Sequence, residues 1–311
     1  MPKVAVIGTG GWGKNHVRVL NELGSLAAVC DADKDRLKEY SEKYRVPGYA
    51  TVDSLLDGEA LDGVAVCTPA STHFSIASKT LNAGINTFVE KPMTTTTADA
   101  EKLIDIAKKA RRILTVGFIE RFNPAIAELR KRIASGELGK LILLEFHREN
   151  RRGDNIVDVG IVKDASVHDI DTARWLFEEE PNIVFGRVGQ VKSPHEDFAT
   201  ILLGFKEQRT AFIASNWVTP SRVRTLTAVF TNGVVTVDFV TQETQIHTEE
   251  GVRVPKTVFQ EPLMLEVKEF LAALREKRRP MVTGEDGLKT MVIAEAVLAS
   301  SQSGMPIIMR A

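Results

Sequence analysis

The 311-residue chain is 43% hydrophobic and 26% charged, with a net charge of −1, a composition that suits a soluble globular protein of two ordinary domains. Charge so evenly balanced points to no nucleic-acid surface and no acidic tail. No apolar run approaches the roughly twenty residues of a membrane helix, and the N-terminus enters a strand without a signal-peptide pattern, so the expected location is the cytoplasm. The two cysteines, Cys30 and Cys67, fall at predicted strand ends without metal-ligand spacing, which argues against a zinc site or a disulfide framework.

The chain opens with the β-branched run Val4 to Ile7, then Gly8-Thr9-Gly10-Gly11-Trp12-Gly13, then Val17, Leu20 and Leu23 at helical spacing. Strand, glycine turn and helix are the parts of a dinucleotide-binding loop. Gly8 makes the tight turn, Gly10 lets a pyrophosphate approach the backbone, and Gly13 lets the helix pack against the sheet. The helix N-terminus presents unpaired N–H groups to the anion. A second strand, Leu26 to Cys30, ends in Asp31, eighteen residues after Gly13, close to the distance at which an acidic residue meets the adenosine ribose hydroxyls. A carboxylate there accepts bonds from a free ribose and repels a 2′-phosphate, so NAD is favoured over NADP; Lys34 and Arg36 keep NADP within reach.

A helix is expected over about Asp33 to Tyr44, a strand over Asp62 to Cys67 ending in Thr68-Pro69, and a helix through Ile76, Ala77 and Leu81 closed by Gly84. The strand Asn86 to Val89 follows, with Glu90-Lys91-Pro92 just past its end, then the helix Ala98 to Ala110 and the strand Ile113 to Val116. This alternation predicts a doubly wound parallel sheet, in which ligands bind beyond the carboxyl ends of the strands. Asp31, Thr68, Pro69, Glu90, Lys91 and Gly117 are thereby expected in one cluster.

From Glu120 the pattern changes. Arg121-Phe122-Asn123-Pro124 starts a helix to about Ser135, with Pro124 in its first turn. Strands are expected at Lys140 to Glu149, Ile183 to Val191, Phe198 to Phe205, Thr210 to Ser215, Thr225 to Thr231 and Val234 to Val240, with Asn232-Gly233 as a tight hairpin turn between the last two. A helix at about Ala165 to Phe177 interrupts them, and two more, near Leu263 to Arg278 and Gly284 to Ser303, end the chain. The fold class is α/β: a Rossmann domain over 1–119, then an α+β domain over 120–311 for substrate and oligomerisation, its open sheet mainly antiparallel with helices on one face.

Asp164 and His168 are four apart, which on a helix puts both on one face about one turn apart. Lys91 stands at a strand's carboxyl end, where the nicotinamide is expected. Oxidising an alcohol requires delivery of a hydride to the cofactor and removal of a tightly held hydroxyl proton. A lysine ammonium stabilises the developing alkoxide, a histidine titrating near pH 6.5 takes the proton, and Asp164 binds a neighbouring hydroxyl or biases the imidazole.

With Gly8-Thr9-Gly10-Gly11-Trp12-Gly13, Cys67-Thr68-Pro69 with His73, Glu90-Lys91-Pro92, Gly117-Phe118 with Arg121-Phe122, and Asp164-x-x-x-His168-Asp169-x-Asp171 in one chain, the sequence resembles the Gfo/Idh/MocA family of NAD(P)-dependent oxidoreductases over nearly its whole length. The resemblance implies that Lys91 is the catalytic lysine and also helps hold the nicotinamide. It implies that Asp164 and His168 are the substrate-binding and acid/base pair. Thr68, Pro69, His73 and Glu90 would line the cofactor site, with Trp12 beside the pyrophosphate or nicotinamide ribose. It further implies an open-faced sheet of the kind that supports homodimers or homotetramers. Many members place glycines ahead of the aspartate where this chain has Lys163.

Within the family, Asn216 to Arg224 and Arg121-Phe122-Asn123-Pro124-Ala125 look most like sugar-nucleotide 3-dehydrogenases acting on UDP-N-acetylhexosamines, which puts Arg121 and Asn123 among the substrate-binding candidates. Arg148, Arg151 and Arg152 suit a diphosphate. Inositol and free sugars are the alternative substrates, and an NADP-linked reductase the alternative direction. A non-catalytic dinucleotide-sensing regulator is the alternative from another class, which the pairing of Lys91 with His168 disfavours.

Overall fold

Short apolar runs, mostly buried, make the first sheet. In the computed structural model, which describes residues 1–151 and 158–309, six strands lie in the order β3-β2-β1-β4-β5-β6, every pair parallel: β1 (Val4–Ile7), β2 (Leu26–Cys30), β3 (Gly48–Tyr49), β4 (Gly63–Val66), β5 (Asn86–Val89) and β6 (Leu114–Val116). Unbroken burial along β1 and β4 is what a parallel sheet covered by crossover helices requires. The order reverses between β1 and β4, the switch point at which such sheets bind ligands.

The helices between these strands are α1 (Gly13–Glu22), α2 (Lys34–Tyr44), α3 (Val52–Gly58), α4 (Ala70–Asn82) and α5 (Thr97–Ala110), of which α2, α3 and α5 start where side chains satisfy the first free N–H groups. Asp33 accepts from Asp35 and Arg36, Thr51 from Ser54, and Thr96 from Asp99, each contact contributing about 1 kcal/mol. Gly84, in the left-handed region at φ +77°, stops α4 as expected. The short elements β3 and α3 were not legible, being too brief for a period to show.

The second unit begins with α6 (Pro124–Ser135), capped by Asn123 and closed by Gly136. Its sheet runs β14-β13-β12-β11-β7-β10-β9-β8-β15, from β7 (Leu141–Glu149), β8 (Ile183–Gly189), β9 (Phe198–Gly204), β10 (Thr210–Asn216), β11 (Val223–Phe230), β12 (Gly233–Asp238), β13 (Thr244–Thr248), β14 (Gly251–Arg253) and β15 (Ile307–Ile308). Among the described residues only β7 with β10 is parallel, and the other pairings are antiparallel. Ala199, Ile201 and Leu203 of β9 are buried while Phe198, Thr200 and Leu202 between them are exposed, the alternation of a sheet covered on one face.

Two local readings need correction. Gly233 pairs with Phe230 across the hairpin, so the turn is Thr231-Asn232 rather than Asn232-Gly233. The chain ahead of β7 sets this register, because Thr231 and Asn232 donate to the carbonyls of Lys140 and Leu138. The helix expected from Ala165 is α-helical only from Val167, as α7 (Val167–Phe177), after a turn of π-helix at Val162–Ser166.

The compact units are Met1–Phe118 with Leu263–Lys289, and Ile119–Pro262 with Thr290–Ala311. Within the first, α8 (Pro262–Glu276) sets Phe270 edge-on to Phe88 at 5.8 Å, and Thr115 of β6 donates to the Val282 carbonyl at 2.7 Å. The last helix, α9 (Gly284–Ser303), starts in the first unit and ends in the second.

Candidate active site

The glycine loop leaves β1 with the geometry its spacing implies. Gly8 sits at φ +89°, and a Cβ there would lie 2.9 Å from the Cys67 carbonyl. A Cβ on Gly13 would strike the Gly8 carbonyl oxygen, whereas Gly10 has nothing within 4 Å of its Cβ position. Two glycines are thus fixed by packing, and Gly10 opens the loop to a ligand. No side chain caps α1 and its first turn holds no acidic residue, so its N-terminal N–H groups remain suited to an anion. Gly11 and Trp12 are exposed at the same turn. These features fit the pyrophosphate of a dinucleotide.

Asp31 follows β2 and is 6% exposed. Its Oδ2 accepts from the Thr9 N–H and hydroxyl, both at 2.8 Å, and its Oδ1 from the Asp33 N–H at 2.9 Å. Arg36 adds Nε to Oδ2 at 3.3 Å and Nη2 to Oδ1 at 3.1 Å. Burial pushes the carboxyl up, but Arg36 and the Asp33 and Thr9 donors outweigh it and hold the pKa below its ordinary value. Asp31 is therefore a carboxylate at neutral pH, as ribose recognition needs.

Beyond β4 and β5 the expected residues meet within the first unit. His73 of α4 is 1% exposed, with its ring nitrogens 2.8 Å from the Thr68 and Pro92 carbonyl oxygens. It ties the two exit loops together. Thr72 donates to the Thr68 hydroxyl and to the Pro69 carbonyl, each at 2.7 Å. Glu90 is 7% exposed; its Oε1 lies 2.7 Å from Nε2 of His16 on α1, and its Oε2 accepts from the Lys91 N–H at 3.2 Å. Lys91, followed by a cis peptide bond to Pro92, is half-buried. Burial pushes the Cys30 thiol up to about 11 and raises Cys67 well above its ordinary value, so neither is a thiolate nucleophile.

In the second unit Asp164 lies in the π turn and His168 in the first turn of α7, both half-buried. Two anchors flank His168. Ser166 donates to Ser215 of β10 at 3.0 Å, and Asp169 accepts from Arg148 of β7, with Nε to Oδ2 at 2.9 Å and Nη2 to Oδ1 at 2.7 Å. Arg148 also reaches Glu120 at 3.1 Å. Burial works against its charge, but Asp169 and Glu120 more than offset this and raise its pKa. Arg121 is 5% exposed and grips Asp171 with two bonds, at 2.7 and 2.6 Å. Asn123, fully buried, accepts from Ala125 N–H and donates to Glu120 and to the Phe239 carbonyl.

Arg121, Asn123 and Arg148 each bond to protein partners within the second unit. Arg151 is exposed, and Arg152 lies outside the described residues. The contacts of His16 with Glu90, Thr9 with Asp31 and Asp169 with Arg148 are visible only in the structure. A histidine three residues past the last loop glycine was the available signal for His16; nothing local marks the partner of Asp169. Among the described residues no group of three or more His, Cys, Asp or Glu side chains could hold a metal ion, and no helix is long and apolar enough to cross a membrane.

A family model described as an oxidoreductase family with an NAD-binding Rossmann fold matches residues 2–118, and the Gfo/Idh/MocA C-terminal domain model matches residues 126–236. The chain belongs to the Gfo/Idh/MocA oxidoreductases. It is an NAD(P)-dependent dehydrogenase of that family, and its cofactor is NAD. Over 302 residues it is 27% identical to UDP-N-acetylglucosamine 3-dehydrogenase of Acidithiobacillus ferrooxidans, covering 94% of this chain and 95% of that protein. Over 324 residues it is 28% identical to myo-inositol 2-dehydrogenase of Thermotoga maritima, with 96% of each covered. A solved structure of the Acidithiobacillus enzyme superposes with a TM-score of 0.89 at 26% identity, covering 97% of this chain and 98% of that one.

Proposed function

We propose that this dehydrogenase oxidises a secondary hydroxyl of a sugar nucleotide, with C3 of a UDP-N-acetylhexosamine as the leading candidate. The observation that carries the chemistry is Lys91, half-buried at the carboxyl end of β5, in the same unit as the glycine loop and Asp31. The substrate class rests on end-to-end similarity to the UDP-N-acetylglucosamine enzyme in both sequence and fold.

Bound NAD would supply the acceptor for the hydride that leaves the carbinol carbon. The glycine loop and the α1 N-terminus hold its pyrophosphate, with Gly11 and Trp12 alongside, and Asp31 takes the ribose hydroxyls. Thr68 and Pro69 line the nicotinamide side; His73 and Glu90 shape it from behind as positioning residues. The Lys91 ammonium stabilises negative charge on the substrate oxygen as the proton leaves. His168 takes that proton, and Asp164 orients a neighbouring hydroxyl. Arg121 and Asn123 fix the start of α6 and the flank of α7.

The Thermotoga relative favours a second reading, inositol or a similar polyol. A panel of UDP-N-acetylglucosamine, UDP-glucose, myo-inositol and glucose, each assayed for NADH formation, separates the two. Turnover confined to the UDP-sugars is expected; turnover confined to inositol or glucose would replace the substrate class and keep the roles of Lys91 and His168. No turnover with any, alongside tight NAD binding, would favour a sensor.

We extend the proposal to a homodimer or homotetramer. Phe198 and Leu202 are 40% and 42% exposed on the open face of the second sheet, beside Phe212, which pairs with Leu202. A monomeric mass by light scattering would contradict it.

A further inference from the structure

We infer that His16 is a positioning residue for catalysis: through the Glu90 carboxylate it sets the backbone from which Lys91 projects. The inference rests on the catalytic role proposed for Lys91, and its observations all lie in the first unit.

Glu90 is the last residue before Lys91, yet its side chain points into protein, not solvent, at 7% exposure. Three elements close around it. His16 of α1, 1% exposed, meets Oε1 at 2.7 Å. The Lys91 N–H donates to Oε2 at 3.2 Å. Gly117, just past β6, supplies the remaining wall, since a Cβ there would lie 2.9 Å from Oε2. The His16 ring is itself fixed, 5.1 Å from the ring of Phe88 on β5.

A buried carboxylate without donors is costly, and these two donors have different consequences. The Lys91 N–H is part of the loop that must be placed; His16 is on a different element, the helix whose N-terminus faces the pyrophosphate. A chain of contacts therefore runs from α1 through His16 Nε2 and Glu90 to the Lys91 backbone. Small errors in the placement of a charged group aimed at a reacting oxygen carry large rate penalties, so loss of the first contact should act on turnover and leave the glycine loop intact.

The discriminating set is His16→Leu, which removes the donor, and His16→Gln, whose amide nitrogen reaches a similar distance along the side chain. In the whole enzyme with NAD and UDP-N-acetylglucosamine, H16L should lower kcat by about ten- to a hundredfold, with the KM for NAD and its dissociation constant changed less than about threefold. H16Q should recover kcat to within about threefold of the wild type. Without any substrate, the rate of Lys91 reductive methylation, read by peptide mass spectrometry, should shift in H16L and return in H16Q. Wild-type kcat and Lys91 reactivity in H16L would overturn the inference. So would equal losses in H16L and H16Q that track a lowered Tm, the pattern of a purely structural histidine. K91M serves as the control: if it stays fully active the Lys91 reading fails, whereas an inactive K91M beside a fully active H16L sinks this inference alone.

Discussion

The first unit holds its candidate residues from strand ends, mainly through backbone groups: Thr9 and Asp33 N–H for Asp31, Lys91 N–H for Glu90, and the Thr68 and Pro92 carbonyls for His73. The second unit holds His168 on a helix start pinned to the sheet by buried ion pairs, with Arg148 and Asp169 both almost fully enclosed. Backbone donors come with the fold and fail only when the loop fails. Ion pairs are side-chain devices, and removing one partner strands a buried charge. Mutations should therefore separate the units, with the first losing turnover or cofactor binding and the second losing stability.

The largest effect expected is on turnover. K91M should lower kcat by about a thousandfold, on the scale of removing a charge-stabilising donor, while NAD binding measured by calorimetry stays near wild type; a residual rate within tenfold would remove Lys91 from the chemistry. Next is R148M, which leaves Asp169 and Glu120 buried without their cation and should cost the second unit about 3–5 kcal/mol. Urea unfolding should show that loss while NAD affinity is retained; coincident loss of both would erase the contrast between the units. D31S should weaken NAD binding by about tenfold or more and improve NADP relative to NAD, since the carboxylate that repels a 2′-phosphate is gone and Arg36 keeps only its ion pair to Asp33 at 3.0 Å. Unchanged preference would deny Asp31 the ribose.

The smallest effect expected is at Asp197, where the second unit uses the first unit's device. Its Oδ2 accepts from the N–H groups of Val191, Lys192 and Ser193 at 2.7, 2.7 and 3.0 Å. Burial pushes the carboxyl up, but these donors outweigh it and hold the pKa well below the ordinary 3.8. A depressed folded-state pKa contributes stability that is present above the unfolded value and lost as pH falls beneath it. D197N should cost about 2 kcal/mol at pH 7, with the gap from wild type narrowing below about pH 4; a gap that stays constant into acid would show that the carboxylate charge contributes nothing.

What the sequence made legible follows the same division. The parallel sheet, the glycine loop and the positions of Asp31, Thr68 and Lys91 all come from local patterns read in chain order. The pairings that fix the second unit span 21 residues for Arg148 with Asp169, 28 for Arg148 with Glu120 and 50 for Arg121 with Asp171. No local period announces such partners. Arginines on a strand or after a turn look alike whether they face a diphosphate or a buried carboxylate. The return of Leu263–Lys289 to the first unit was hidden for a similar reason, because an amphipathic stripe announces a buried face without naming the layer it meets. The π turn ahead of α7 leaves the four-residue spacing of Asp164 and His168 intact while changing the backbone that carries it.

The most direct test of the account is to incubate the enzyme with NAD and UDP-N-acetylglucosamine deuterated at C3, and to examine the NADH by mass spectrometry. The account predicts one deuterium in the reduced nicotinamide, formed by the wild type and formed far more slowly by K91M and H168A. Reduced cofactor without deuterium, or none from this substrate while myo-inositol reacts readily, would contradict oxidation at C3 of a UDP-N-acetylhexosamine.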